Sequence, residues 1–386
     1  MKKAGRYIIF IGVLLGLALS FTRLEAQLLQ TKAEQAFLMD AYSGVVLLEK
    51  DSDVLMSPAS MSKLMTSLLV FEALEDGRIK LGDLFLVSDN AWKKGGAPSG
   101  GSTMFAKRGS RVPVDALLRG VIVQSGNDAS IVLAEGLAGS EEVFSRHMTE
   151  RAHELGLTKS SFVNATGWPD PGQKMTAREL AVLAKYIIKN YPQYYGMYSE
   201  KSFTWNDIKQ QNRNPLLYAN IGADGLKTGH TEESGYGLVA SAVSGERRLI
   251  LVINGLKSKQ DRAQEAQRIM NWGFRNFNNY KIFDREEGVL RAPVWHGEYR
   301  TVPLIAQKQF SAVIPRRLFR KMSVSVEYKS PLIAPLKKGK VVGEARVFVP
   351  GMEPQKVPVV IGMDMERKGF FRRTFSSLIY LTLGKI

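Results

Sequence analysis

The sequence predicts an α/β (α+β) domain with an antiparallel sheet and a helical cluster, followed by a small all-β domain and an amphipathic C-terminal helix. Apolar residues recur at helical spacing in several segments between residues 57 and 277. A hairpin at 34–56 and three apolar or alternating runs at 225–255 indicate early and late strands of one sheet. After about Lys281, helical periodicity nearly vanishes and short strands follow, separated by Pro, Gly and Lys clusters.

The first 26 residues have the pattern of a signal peptide. Lys2, Lys3 and Arg6 precede a fifteen-residue apolar run, Tyr7 to Phe21, and Ala26 supplies a small residue for a cleavage site. A membrane-spanning helix needs about twenty apolar residues, so this shorter run favours a signal peptide, with an uncleaved anchor as the alternative. We therefore expect the protein to be exported.

Composition restricts the chemistry of an exported protein. The formal net charge of +16 favours anionic lipid headgroups and acidic cell-wall polymers as partners, and not nucleic acid. The chain has no cysteine, which removes disulfides, thiolate nucleophiles and cysteine metal sites, and its four histidines form no H-E-x-x-H pattern. We expect no cofactor and no metal, and a mechanism based on serine. The oligomeric state is not indicated.

Residues 57–77 predict a helix that carries Ser60 and Lys63 one turn apart near its start. Ser57 can serve as N-cap and Pro58 suits the first helical position, followed by apolar residues at helical spacing. A helix start offers unpaired N–H groups and the positive end of the dipole. An isolated Ser-x-x-Lys match is more often an ordinary amphipathic helix, so this pattern needs corroboration.

Two further motifs provide that corroboration. Ser125 and Asn127 form a Ser-x-Asn pattern at a junction between two apolar helices, where a helix cap is the alternative interpretation. A second Ser-x-Asn, Ser88–Asn90, opens a Gly-, Ser- and Lys-rich stretch at 86–112 and is explained as a turn or cap. Lys-Thr-Gly occurs once, at residues 227–229, where the meander begins. The three motifs in this order favour an active-serine site.

The residue types suggest a role for each side chain. Ser60 is unreactive at neutral pH and needs a base, and Lys63 is the nearest candidate if burial and the positive charge of Lys227 deprotonate it. Ser125 can relay a proton between the base and the leaving group. Asn127 can hold the lysine and a substrate amide in place.

The Lys-Thr-Gly motif suits a substrate that binds as a strand. Gly229 lacks a side chain, which lets an extended peptide approach the strand edge. Thr228 and Lys227 would then face the terminal carboxylate of that peptide.

The chain resembles the low-molecular-mass penicillin-binding proteins, and in particular D-alanyl-D-alanine carboxypeptidases of the penicillin-binding protein 5 type (peptidase family S11). The segments that carry the resemblance are "SPASMSKLMT", "LLRGVIVQSGNDAS", "NRNPLL", "DGLKTGHTEESGYGLVASA", "WGFRNF" and the C-terminal tail. The resemblance implies a serine β-lactamase/transpeptidase-like domain at 27–281, an all-β domain at 282–365 and a membrane-anchoring helix at 366–386.

The resemblance also implies an activity and further site residues. The enzyme would remove the last D-alanine from peptidoglycan pentapeptides through an acyl-Ser60 intermediate, and penicillins would acylate the same serine. Backbone N–H groups of Ser60 and His230 would form the oxyanion hole. Arg213 and Arg248 would orient the carboxylate region, since a guanidinium pairs with a carboxylate through two hydrogen bonds. A surface or ion-pair role is the alternative for both arginines.

Three other functions compete with this interpretation. A β-lactamase shares the acylation machinery, but "GWPDPGQKMTARELA", with Glu179, has no obvious equivalent of the class A deacylating glutamate. A D,D-endopeptidase cannot be separated from a carboxypeptidase by sequence. A non-catalytic penicillin receptor or wall-binding module would have no need for Lys63 or Ser125, and the chain retains both.

The C-terminal tail predicts an amphipathic helix that begins near Gly369. Its apolar residues gather mainly on one side and its basic residues at the ends, as in helices that lie on a lipid surface. The apolar positions are Phe371, Phe375, Leu378, Ile379 and 381–383, and the basic ones are Arg367, Lys368, Arg372, Arg373 and Lys385. We expect the tail to hold the protein peripherally on the periplasmic face of the inner membrane. Docking of the helix on the protein's own core is the alternative.

Overall fold

The architecture is described for residues 29–369 of a computed structural model of the chain. The predicted signal peptide lies outside these residues, and so does the predicted terminal helix from residue 370 onward. Among the described helices, none is both long enough and apolar enough to cross a membrane.

A five-stranded antiparallel sheet forms the centre of the first domain, in the order β2-β1-β9-β8-β7. Its strands are β1 (Gln35–Asp40), β2 (Val46–Lys50), β7 (Ala223–Thr231), β8 (Gly235–Ser244) and β9 (Arg247–Leu256). Two short antiparallel pairs accompany it: β3 (Leu84–Leu86) with β4 (Arg111–Pro113), and β5 (Ser202–Trp205) with β6 (Ile208–Gln211). The predicted hairpin and meander are confirmed, and the pairing of β1 with β9 confirms the discontinuous sheet.

Helices cover both faces of this sheet, because successive strand residues point to opposite faces and both sets are apolar. Phe37 and Val252 pack into the helical cluster on one face, whereas Leu38 and Leu251 pack against the last helix on the other. The helices are α1 (Lys63–Glu75), α2 (Asp89–Gly95), α3 (Val114–Ile122), α4 (Asn127–Ala138), α5 (Glu141–Glu154), α6 (Ala177–Asn190), α7 (Pro192–Tyr195) and α8 (Lys259–Asn276).

The second domain is all-β, as predicted. Its six-stranded sheet has the order β14-β16-β17-β12-β11-β15, and β10 pairs with β13 in a separate ladder. The strands are β10 (Phe277–Phe283), β11 (Gly288–Trp295), β12 (Thr301–Ala306), β13 (Phe310–Pro315), β14 (Ser323–Tyr328), β15 (Leu332–Ile333), β16 (Val341–Phe348) and β17 (Gln355–Ile361). The predicted domain boundary at 281/282 therefore falls inside β10.

The start of the first helix differs from the prediction. A short 3-10 turn, Ala59–Ser62, precedes α1, and α1 begins only at Lys63. Ala59 has a left-handed backbone (φ 47°), so the chain cannot continue from Pro58 directly into an α-helix. Ser57 consequently makes no cap, and its buried hydroxyl has no hydrogen-bond partner among residues 29–369. The predicted Ser57 cap is wrong.

Candidate active site

The three motifs meet where the edge of the main sheet approaches the helical cluster. β7 is an edge strand and carries residues 227–229, the 3-10 turn carries Ser60, and the junction between α3 and α4 carries Ser125. Ser125 has a left-handed backbone (φ 60°) and does not cap α4, whose N-cap is Gly126. The turn at Ser125 instead directs its hydroxyl to Lys227.

Lys63 is fully buried and connects two of the motifs. Its Nζ lies 3.0 Å from Ser60 Oγ and 2.7 Å from Asn127 Oδ1, and it also donates to the backbone carbonyl of Thr166. A neutral amine has two N–H groups and one lone pair. Because the Asn127 and Thr166 oxygens can only accept, the lone pair of a neutral Lys63 faces the Ser60 hydroxyl. This geometry suits a base that takes the Ser60 proton.

Lys227 connects the Lys-Thr-Gly motif to the Ser-x-Asn motif. It is buried, and its Nζ donates to Ser125 Oγ at 2.8 Å and to the carbonyl of Thr228 at 3.2 Å. Two lysine–serine pairs, Lys63 with Ser60 and Lys227 with Ser125, therefore lie side by side in the cleft.

Burial makes the charged form of both lysines unfavourable. It lowers the pKa of Lys63 to about 7, with help from the charge of Arg213 and against the opposing charges of Asp128 and Glu141. Burial is also the main cause of the lowered pKa of Lys227, to which the charge of Lys63 contributes. Each lysine thus disfavours a proton on the other, and a neutral amine is available near neutral pH.

The Gly229 position shows why the strand carries no side chain there. A Cβ at Gly229 would lie 2.9 Å from the carbonyl oxygen of Pro58 and 3.2 Å from the Cβ of Ala59. Close packing of β7 on the turn that bears Ser60 therefore requires glycine, a reason that sequence alone did not reveal. The next residue, His230, is exposed and stacks on Tyr236 with ring centroids 3.9 Å apart.

The glycine-rich stretch at 86–112 packs against the start of α4, and Asp128 holds it there. Asp128 accepts hydrogen bonds from Thr103 Oγ1 and from the backbone N–H groups of Met104 and Ala106, at 2.7 to 3.0 Å. The stretch includes the short helix α2. Ser88 is the N-cap of α2, which confirms its interpretation as a cap.

The structure brings only one of the two predicted arginines to the cleft. Arg213 donates to Ser102 Oγ at 2.6 Å, and its charge affects both buried lysines. Arg248 lies further along the sheet and is engaged by Asp224 (2.7 Å) and Ser241 (2.6 Å). Because its guanidinium is already paired, the carboxylate role predicted for Arg248 has no support in the geometry.

Arg262 is a site residue that sequence reasoning missed. It lies in the first turns of α8, is 7% exposed, and its guanidinium carbon lies 5.6 Å from the centre of the Tyr236 ring. Its Nε has no hydrogen-bond partner among residues 29–369. Burial lowers the pKa of Arg262 to about 10, and the charge of Arg213 acts in the same direction. Two arginines therefore lie near Lys227 without carboxylate partners in the described chain.

Glu179 has a structural role. It accepts hydrogen bonds from the backbone N–H of Lys159 (2.9 Å) and from Ser160 Oγ (2.6 Å), both next to the start of α6. These contacts fasten the segment before α6 and leave Glu179 without a bond to Ser60, Lys63 or Ser125. No β-lactamase-type deacylating role follows for it.

Comparisons with known proteins identify the class. A D-alanyl-D-alanine carboxypeptidase family profile matches residues 22–258, and a profile of the C-terminal domain of penicillin-binding protein 5 matches residues 277–367. The chain is 42% identical over 341 residues to D-alanyl-D-alanine carboxypeptidase DacC of Escherichia coli strain K12, covering 88% of this chain and 85% of that protein.

Solved structures show the same architecture. Penicillin binding protein 5 from Haemophilus influenzae has a TM-score of 0.77 and 35% identity, over 88% of this chain and 98% of that one. Penicillin-Binding Protein D2 from Listeria monocytogenes, in an ampicillin-bound form, has a TM-score of 0.56 and 28% identity, over 64% of this chain and 99% of that one.

The fold and the site define a serine enzyme of the penicillin-binding protein class. Within that class, the chain belongs to the D-alanyl-D-alanine carboxypeptidase family, with the C-terminal domain of the penicillin-binding protein 5 type. The predicted serine-type D-Ala-D-Ala carboxypeptidase is confirmed by these matches, and neither a β-lactamase nor a non-catalytic module is favoured.

The lowered pKa of Lys63 predicts a pH dependence. The neutral amine is the active form and is present above the pKa of about 7, so kcat/KM for a D-Ala-D-Ala peptide should fall by about tenfold per pH unit below pH 7.

Lys63→Arg should lower activity by about 10²–10⁴-fold at every pH, because a guanidinium cannot give up its proton. Near-normal hydrolysis by Lys63→Arg would refute the assignment.

The positions of Arg262 and Arg248 predict different effects of mutation: a loss of catalytic efficiency for Arg262 and a loss of stability for Arg248. Arg262→Gln should lower kcat/KM for a peptide with a free terminal carboxylate by about 10–100-fold, the loss of one charge-assisted hydrogen bond. A matched substrate with an amidated terminus should show little difference between this variant and the wild type.

Arg248→Gln should lower thermal stability and leave the preference for carboxylate over amide unchanged. If Arg248→Gln reduced the preference for carboxylate over amide and Arg262→Gln did not, Arg248 would be the carboxylate ligand.

Proposed function

We propose that the protein removes the terminal D-alanine of peptidoglycan pentapeptides through an acyl-Ser60 intermediate. The observation that carries this proposal is the 3.0 Å contact between Ser60 Oγ and the buried Nζ of Lys63, whose other two contacts are acceptors. It supplies the activated alcohol that acyl transfer needs.

In the acylation step, Ser60 Oγ attacks the carbonyl carbon of the D-Ala-D-Ala peptide bond while its proton passes to Lys63. Backbone N–H groups of Ser60 and His230 would stabilise the oxyanion. The C–N bond then breaks, and Lys63 gives the proton that it took from Ser60 to the leaving amine through Ser125, which Lys227 contacts at 2.8 Å. This transfer returns Lys63 to its neutral form. Free D-alanine departs and the acyl group remains on Ser60.

In the deacylation step, water attacks the acyl carbonyl and gives its proton to the neutral amine of Lys63. That proton returns to Ser60 Oγ as the ester bond breaks, and the shortened peptide leaves. No carboxylate base is needed in this scheme, which agrees with the structural contacts of Glu179.

Recognition of the substrate rests on the edge strand and on positive charge. The peptide would add to β7 beside Gly229, with its terminal carboxylate near Thr228 and the guanidinium groups of Arg213 and Arg262. Asn127, which already contacts Lys63, would bind the substrate amide. A β-lactam presents an amide carbonyl and a carboxylate as well, so penicillins should acylate Ser60, and the ampicillin-bound relative supports this extension.

One experiment tests both the reaction and the nucleophile. Mass spectrometry of the purified protein with a D-Ala-D-Ala pentapeptide should detect release of one D-alanine, and a labelled penicillin should attach to the wild type. Ser60→Ala should abolish both, whereas Ser88→Ala, which alters the other Ser-x-Asn motif, should retain both. Label on Ser88 or Ser125 of the wild type, or cleavage that releases no free D-alanine, would overturn the proposal.

The same protein is proposed to act on the periplasmic face of the inner membrane, held there peripherally by its C-terminal segment. The pattern of residues 1–26 supports export, and the basic and aromatic residues from 367 onward support binding to anionic lipid. The β domain would then act as a spacer that lifts the Ser60 cleft toward the wall.

Deletion of residues 370–386 tests this location and leaves Arg367 and Lys368 in their contacts with Ala334 and His296. The signal-processed protein should move from the membrane fraction to the soluble periplasmic fraction and still release D-alanine at the wild-type rate. Membrane retention after verified signal cleavage would point to another attachment. Unfolding would support a helix docked on the protein's own core.

A further inference from the structure

A second concave site lies between the two domains, separate from the Ser60 cleft. It is a groove of about 1860 Å³, and no residue assigned to the active site lines it. The turn between β1 and β2 and the C-terminal end of α8 form its catalytic-domain wall. The segment that follows β13 and the loop at 350–356 form its β-domain wall.

Seven basic and three acidic side chains line the groove, which leaves an excess of positive charge. The acidic residues are Asp40, Glu49 and Glu353. Its basic residues fall into two groups. Arg178, Arg268 and Lys356 are paired with nearby carboxylates. The second group has no ion pair or side-chain hydrogen bond within residues 29–369, and all of its members are exposed: Arg275, Lys308, Arg316 and Arg317.

Arg275 and Arg316 lie where the groove meets a smaller hollow of about 580 Å³, and both residues line both cavities. Arg275 belongs to the catalytic domain and Arg316 to the β domain. Arg247 lies behind them and is 8% exposed. It donates to the carbonyl of Phe277 at 2.7 Å, while its Nε and Nη2 have no hydrogen-bond partner among the described residues. Three arginines from three elements therefore meet at the domain junction.

Positive charge at this junction destabilises the charged form of Arg247. Burial lowers the pKa of Arg247, and the charge of Arg316 lowers it further, whereas the carboxylate of Asp40, which opposes this shift, is 3.9 Å away. Carbonyl groups at the end of α8 offset part of this charge. An anion bound between Arg275 and Arg316 would offset more, and it would also link the two domains.

The chemistry of the groove favours a particular anion. A carboxylate has one charge and two oxygens, which one guanidinium satisfies. A phosphate group has up to two charges and more oxygens, and several arginines can bind it at once. We propose that the interdomain groove binds a phosphate group between Arg275 and Arg316, with Lys308 and Arg317 as further positive neighbours.

Calorimetric titration of the purified full-length protein with pyrophosphate at low ionic strength tests this site. The wild type should bind saturably, and Arg275→Gln and Arg316→Gln should each raise Kd by about tenfold or more. Arg320→Gln is the matched control, since Arg320 lies in the same 3-10 segment, Arg316–Lys321, but outside the groove. All three variants should release D-alanine at the wild-type rate, so the result is independent of the carboxypeptidase reaction.

Three results would overturn the proposal: no saturable binding by the wild type, an equal loss in Arg320→Gln, or acetate binding as tight as pyrophosphate at matched ionic strength. Vesicles then identify the source of the phosphate. If it is a lipid headgroup, Arg275→Gln and Arg316→Gln should bind phosphatidylglycerol vesicles more weakly than Arg320→Gln, with phosphatidylcholine vesicles as reference. If it is a soluble phosphate compound, vesicle binding should be equal in all three while the calorimetric loss remains.

Discussion

The burial of two lysine amines beside each other is the constraint on which the active site depends. Removing an ammonium group from water is costly, and a second ammonium nearby raises that cost. Lys63 and Lys227 are both buried and each contacts a serine hydroxyl. The surrounding structure must therefore supply enough acceptors to keep the amines in place without supplying a carboxylate that would hold them protonated. Asn127 and the Thr166 carbonyl meet this need for Lys63.

Several glycines make that burial possible by letting backbones touch. A Cβ at Gly167 would lie 2.0 Å from the carbonyl oxygen of Ala59, and one at Gly95 would lie 2.4 Å from the backbone nitrogen of Asp128. The first contact presses the segment that bears Thr166 onto the Ser60 turn. The second presses α2 onto the start of α4. Close backbone contacts therefore help to enclose the site in which Lys63 is buried.

Much of the fold was predictable because its signals are local. The meander, the last helix and the paired strands at the start follow from apolar periodicity, and the three motifs follow from residue order.

Contacts between distant segments left no such signal in the sequence. The role of Thr166 is that of a backbone carbonyl, which any residue could supply, and the role of Arg262 depends on where α8 lies against β8. The strands β3, β4, β5, β6, β10, β11, β13 and β15 were not predicted individually. The carboxylate role of Arg248 stays a prediction without support in the geometry, because its motif does not reveal that Asp224 and Ser241 engage it.

The pairing of β1 with β9 affects the order in which the catalytic domain is assembled. Leu38 lies opposite Leu251, more than two hundred residues later, and the sheet that carries Lys227 at its edge is joined to the first strand only through this pairing. Such a contact is slow to form because a long loop must close before it. A chain that has emerged only as far as Ser125 carries its nucleophile and its base but has no Lys-Thr-Gly strand. The strand that the peptide substrate is proposed to join is therefore among the last parts of the catalytic domain to be synthesised, and the site is complete only after it.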